Sequence, residues 1–237
     1  MVLNCYSEQE AKFFQKINTP AKIQDYLNGL KFNFEKHGET CYSPRMVIKN
    51  KTAHCMEGAM LAAAVLEFHG ARPWVVDLRS VKPEDDDHVI AVFKQFDCFG
   101  AISKTNHGVL RYREPVYRTL RELVMSYFNE YFLNTGQKTL REYSNLIDLK
   151  IFDFLDWRTS NKHLFVIPQN TKALPLASFN PTAPSGIEEN AVPCVVSAFV
   201  GRYALFIGRT LVAVNTPLWF KAGRSGCHAP NGMVVIH

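Results

Sequence analysis

With 237 residues, 47% of them hydrophobic and 21% charged, the chain has the make-up of a folded globular protein with room for a sizeable core. Its net charge of +5 comes without a clustered basic stripe, which argues against nucleic acid as a partner. The first residues lack the basic start and apolar run of a signal peptide, and no uncharged apolar stretch nears the roughly 18–20 residues needed to span a bilayer, so a cytoplasmic protein with no membrane partner is expected.

Residues 7–17 read as a helix, with Ser7 as N-cap, Glu10 closing a capping box and Ala11, Phe14 and Ile17 along one side. A second helix should open at Thr19-Pro20 and run to Asn28-Gly29. Residues 33–40 form a polar loop, and Ser43-Pro44-Arg45 begins a further helical turn. From Ala59 to Leu66 the next helix has almost no polar face, which predicts a buried core helix ending at Gly70. Two starts are open for it: Thr52 as N-cap, or a helix beginning at His54 with Glu57 completing the cap.

Residues 72–79 carry almost no polar side chain and predict a strand buried on both faces. The run Glu84, Asp85, Asp86, Asp87 reads as a solvated acidic loop, or as a negative field favouring a His88 imidazolium. Residues 89–95 and 98–104 should form an antiparallel hairpin about Phe96-Asp97. Pro115 should open a long helix reaching 133, with Val116, Leu120, Leu123, Val124, Tyr127, Phe128 and Tyr131 as its apolar stripe and Gly136 as its stop. Residues 139–168 should return over the sheet, with Thr159 or Ser160 capping a short helix.

After Pro168 the composition changes to a Pro/Ser/Ala-rich linker and an apolar stretch broken by Arg202 and Arg209. The expected domains are therefore 1–170 and an extension, 171–237, that takes no part in chemistry. The fold class follows as α+β: a buried, cysteine-bearing central helix packed on a small antiparallel sheet, with flanking helices. The six cysteines, at 5, 41, 55, 98, 194 and 227, show no CxxC spacing, and His54-Cys55 has no second pair at metal-ligand spacing, so neither disulfides nor a metal are expected.

Cys55 lies in the first turn of the core helix, where unpaired N–H groups and the macrodipole favour an anion and so a thiolate. The alternative is a small buried hydrophobe. A helix-initial cysteine, an Ala-rich helix, the Gly70-Ala71-Arg72-Pro73 turn, a strand over 74–78 and His88 opening HVIAVFKQ together resemble the core of the transglutaminase-like cysteine hydrolases, which share papain-like thiol chemistry. The tract GAISKTNH at 100–107 and the following LRYREPVYRTLRELVMSYFNEYF are similar to a bacterial branch of that superfamily, and the resemblance spans about 40–168.

The resemblance implies an acyl transferase or hydrolase acting on a peptide or amide without a cofactor, with Cys55 as nucleophile and His88 as base and acid. The carboxylate expected to orient the imidazole is replaced by Ser103, with Asn106 as the alternative orienter. The Cys55 N–H and the Asn50 side chain would meet the oxyanion, with Thr52 in support. His107 and Lys104 are rivals for site roles. A second reading is a transglutaminase-like scaffold that binds proteins and has lost its triad.

Overall fold

The computed structural model describes residues 5–36, 38–173 and 175–178, and the backbone of four further strands between 196 and 236. The chain divides into two units, Met1–Tyr131 with Thr139–Ser185, and Phe132–Lys138 with Gly186–His237.

The first unit opens with α1 (Glu8–Lys16), capped by Ser7 with the reciprocal Glu10 bond, and α2 (Pro20–Gly29), capped by Thr19 with Pro20 in its first turn. β1 (Lys31–Phe32) pairs in parallel with β2 (Thr52–Ala53), bracketing α3 (Pro44–Asn50). α4 (Cys55–Phe68) follows, and every residue from Met56 to Glu67 is buried. It ends in a Schellman arrangement: Gly70, at φ 89°, donates to Glu67 O, and Ala71 donates to Leu66 O.

The main antiparallel sheet contains β3 (Trp74–Ser80), β4 (His88–Gln95), β5 (Cys98–Ile102), β6 (Arg113–Tyr117), β7 (Leu140–Ser144), β8 (Ile147–Asp148) and β9 (Leu176–Ser178). Its order is β6-β5-β4-β3-β7-β9, with β8 beside β3. Alternation in β3 and β4 sends Val75, Val89, Ala91 and Phe93 toward α4, and Val76, Leu78, Ile90 and Val92 toward a second cluster. That second cluster includes Leu123, Val124 and Tyr127 of α5 (Leu120–Phe128). Both faces of the sheet are therefore covered, which explains the apolar run Trp74–Val76, and the polar residues β3 does carry are paired, Arg79 with Asp77 at 3.2 Å and Ser80 Oγ with Asp85 O at 2.7 Å. The fold is α+β, with the cysteine-bearing helix packed on the antiparallel sheet.

The β4–β5 turn puts Phe96 and Asp97 at φ 51° and 59°, the primed geometry that suits a two-residue hairpin despite side chains that seldom adopt it. The long helix expected from Pro115 to 133 is corrected. Pro115 lies in the edge strand β6, where a missing N–H is tolerated. α5 begins only after Thr119, whose bond from Glu122 N and reciprocal Glu122 bond form a capping box, and it stops at Phe128. The cap expected at Thr159 or Ser160 is also replaced. Both amides donate to Asp156 O, and the short helix is α6 (Val166–Lys172), preceded by a 3-10 segment over Leu149–Leu155.

β9 carries the first unit past residue 170. Most of the stretch read as a linker, from 179 onward, lies outside the described residues. In the second unit, β10 (Val196–Phe199), β11 (Arg202–Ile207), β12 (Thr210–Val214) and β13 (Val234–Ile236) form an antiparallel meander. Among the described residues, no helix is long and apolar enough to cross a membrane.

Candidate functional site

The site forms around the first turn of α4. Of the two starts open for this helix, the structure takes the second: His54 is the N-cap residue and its N–H donates to Glu57 Oε2 at 3.0 Å. Thr52 instead donates its hydroxyl to Lys31 O, so it holds β2 against β1 and leaves the first turn of α4 uncapped by its side chain. Cys55 therefore starts the helix with its thiol unbridged and half-buried.

Burial pushes the Cys55 thiol up, but hydrogen bonds from His54 and His88 and the positive charge of both rings outweigh it, bringing the thiol down to about 6. Two imidazoles thus bear on one sulfur. His88 arrives from the start of β4, is 6% exposed, and has its Nε2 buried with no hydrogen-bond partner among the described residues.

His54 is held more firmly. Its Nε2 lies 3.1 Å from Thr40 O and 3.4 Å from Glu57 Oε1. Burial pulls this imidazole down, but bonding to Cys55 and the charges of Glu57 and Cys55 raise it to about 9. Glu57 is fully buried and accepts from Thr40 Oγ1 at 2.8 Å, Tyr42 N at 2.9 Å and Asn33 Nδ2 at 3.2 Å. A buried carboxylate needs such donors to remain charged in the interior.

The remaining residues singled out in the sequence are placed differently. Ser103 is fully buried and donates its hydroxyl to Leu110 O at 2.7 Å, and its backbone is gripped at both N–H and C=O by the Gln24 side chain. It does not hydrogen-bond to His88 Nε2. Asn106 is exposed, as is Asn50 at the end of α3. Lys104 donates to Leu27 O and Leu30 O, satisfying the carbonyl end of α2. His107 is exposed and precedes the 3-10 turn Gly108–Leu110. The AISKTN tract thus ties the sheet to α2.

The acidic loop is similarly engaged. Asp87 Oδ1 accepts from Ser80 N at 3.1 Å, and Lys82 Nζ lies 3.6 Å from Asp86 and 3.5 Å from Asp87. Tyr131 donates its hydroxyl to Asp86 O, which links this loop to the chain after α5. Among the described residues, no group of three or more His, Cys, Asp or Glu could hold a metal ion.

No protein-family model matches the chain, and none of the curated proteins does. The site has to be read from its own chemistry. The sequence points to His54 as a helix start or a metal ligand and to Glu57 as a cap, so their place as a pair beside Cys55 emerges only in the fold. The signal that could have found them is the i, i+1, i+3 spacing of His54, Cys55 and Glu57, which puts all three at one helix end.

Proposed function

We propose that the protein is a thiol-dependent acyl-transfer enzyme of transglutaminase-like type, acting on a peptide or amide through Cys55 and His88. The observation that carries this reading is the Cys55 thiol, brought to about 6 at the first turn of α4 with the His88 ring bearing on it. The thiolate attacks the carbonyl carbon, the C–N bond breaks, and the His88 imidazolium gives its proton to the departing amine. Water or a second amine then attacks the thioester and passes a proton to His88, and the sulfur leaves as thiolate. The Cys55 N–H is one donor to the oxyanion, and Asn50 is the side-chain candidate for the other. The chemistry belongs to the first unit and needs no cofactor.

One observation favours a second reading, a binding scaffold without turnover: among the described residues His88 Nε2 has no hydrogen-bond partner of the kind that orients the imidazole in such triads. Iodoacetamide and p-nitrophenyl acetate separate the two. The enzyme reading expects fast alkylation of Cys55 at pH 6, absent in Cys55→Ser, and an acetyl-Cys55 adduct that hydrolyses. His88→Ala should slow that hydrolysis by about 10²–10⁴-fold. A stable acetyl adduct in the unaltered protein would favour the scaffold, and alkylation that rises only above pH 8 would reject the activated thiolate.

A further inference from the structure

The carboxylate that the resemblance leads one to seek behind His88 stands instead behind the other imidazole. His54 Nε2 is fixed between Thr40 O at 3.1 Å and Glu57 Oε1 at 3.4 Å. A carbonyl only accepts, so Nε2 keeps its hydrogen in both protonation states, and Nδ1 is the nitrogen that gains or loses a proton. Glu57 is itself immobilised by His54 N, Thr40 Oγ1, Tyr42 N and Asn33 Nδ2, drawn from the helix start and the loop before α3. The ring is therefore oriented and backed by negative charge, and its bonding and charge act on the thiol of the next residue. Among the described residues, none gives His88 such support at its Nε2.

We propose that His54, backed by Glu57, is the fixed imidazolium that keeps the Cys55 sulfur as a thiolate, a positioning residue distinct from His88, which is left to carry protons. The inference rests on the acyl-transfer reading and divides between two rings what a single histidine does in a simple dyad. A fixed charge beside the sulfur keeps the nucleophile formed while His88 is neutral, so the second half reaction can use His88 as a base without the thiol being reprotonated.

The groups facing this pair are few. On α4 they are Glu57 and Cys55 themselves. Glu35 Oε1 lies 3.9 Å from His54 Nε2, and Cys41, on the loop before α3, feels both Glu57 and Cys55. His88 faces the sulfur from β4, and Tyr131 from the chain after α5. Burial pushes Cys41 up to about 12 and raises Tyr131 further, so both stay neutral over the range in which the pair titrates.

The test is the pH profile of iodoacetamide alkylation, mapped to Cys55 by peptide mass, in the full chain and in His54→Gln. Glutamine can still donate to Thr40 O but carries no charge. The expected result is a midpoint about one to two pH units higher, and alkylation at pH 6.5 slower on the order of tenfold. A second measurement does not require a His54 variant to fold. Because the coupling is mutual, Cys55→Ser should lower the His54 imidazole midpoint, read by NMR, by about one unit or more. If the unaltered protein has a low midpoint that His54→Gln leaves in place, or if the His54 midpoint is indifferent to Cys55→Ser, this proposal is overturned and the acyl-transfer reading stands. If the unaltered midpoint lies above pH 8, the underlying reading itself has failed.

Discussion

Cys55 and His54 titrate as a pair, and their directions oppose: the thiol falls to about 6 and the imidazole rises to about 9. Below the lower value the sulfur is protonated and unreactive. Above the upper value the imidazolium loses its charge and the thiolate stands without its counter-ion. A thiolate held by a cation is a weaker nucleophile than a free one, because nucleophilicity falls with thiol pKa. Alkylation of Cys55 should therefore rise in two steps, one near pH 6 and a second near pH 9, measured as rate against pH at constant ionic strength. One step at the value of an ordinary thiol would show that the rings do not act on the sulfur. At this scale the place of Cys55 at the start of α4 was legible in the sequence, and a cysteine at a helix start has a direct electrostatic consequence. The partner His54 was less so: Glu57, three residues on, lies within the local pattern, but the Thr40 carbonyl that fixes the ring comes from 14 residues upstream and is supplied by chain folding.

At the scale of elements, α4 is seated by a close approach that only glycine permits. A Cβ on Gly58 would lie 2.3 Å from Lys104 Cβ and 3.6 Å from its Cα. Lys104 cannot withdraw easily, since its Nζ is bonded to Leu27 O at 2.9 Å and Leu30 O at 2.6 Å. Gly58→Ala would gain about 1 kcal/mol of helix propensity. The overlap, involving an atom one bond from the backbone, should cost about 1–3 kcal/mol, and more if the chain at Lys104 must shift. The expected net outcome is a lower urea midpoint with an unchanged m-value, together with slower alkylation of Cys55 because the first turn of α4 is displaced. Equal or higher stability would mean that the helix is not packed as described. The two early helices were legible because caps and periodicity agreed there, whereas α4 and the β4–β5 hairpin were legible from apolar pattern and spacing, with the cap of α4 open between two starts and Phe96-Asp97 an unusual turn pair. The helix expected at Pro115 was misread because proline fits both a first helical turn and an edge strand, and the Thr119–Glu122 capping box was the stronger signal.

Across the whole molecule, the far end of α4 is tied to the chain 91 residues later. Arg158 donates to both oxygens of Glu67, at 2.6 and 2.8 Å, and also reaches Asp153 at 2.7 Å while lying over the Trp157 ring. Glu67 and Arg158 are 6% and 8% exposed, so solvent does little to screen them. No sequence pattern shows such a pair, because the partners are distant and each is an ordinary helix or loop residue in its own neighbourhood. The desolvation of two charges offsets most of their attraction, so the pair adds little net stability, yet removing one member leaves the other charged and buried. Arg158→Met should therefore cost about 3–5 kcal/mol in urea denaturation. Lys150 Nζ, 3.8 Å from Glu67 and half-exposed, can compensate only in part. The double variant Glu67→Leu with Arg158→Met should recover most of that loss, giving a coupling well outside additivity. If the two single losses simply add, the pair is not the clamp that holds the helix C-terminus against the 149–158 segment, and the rigidity of α4 that presents Cys55 at its other end must come from apolar packing alone.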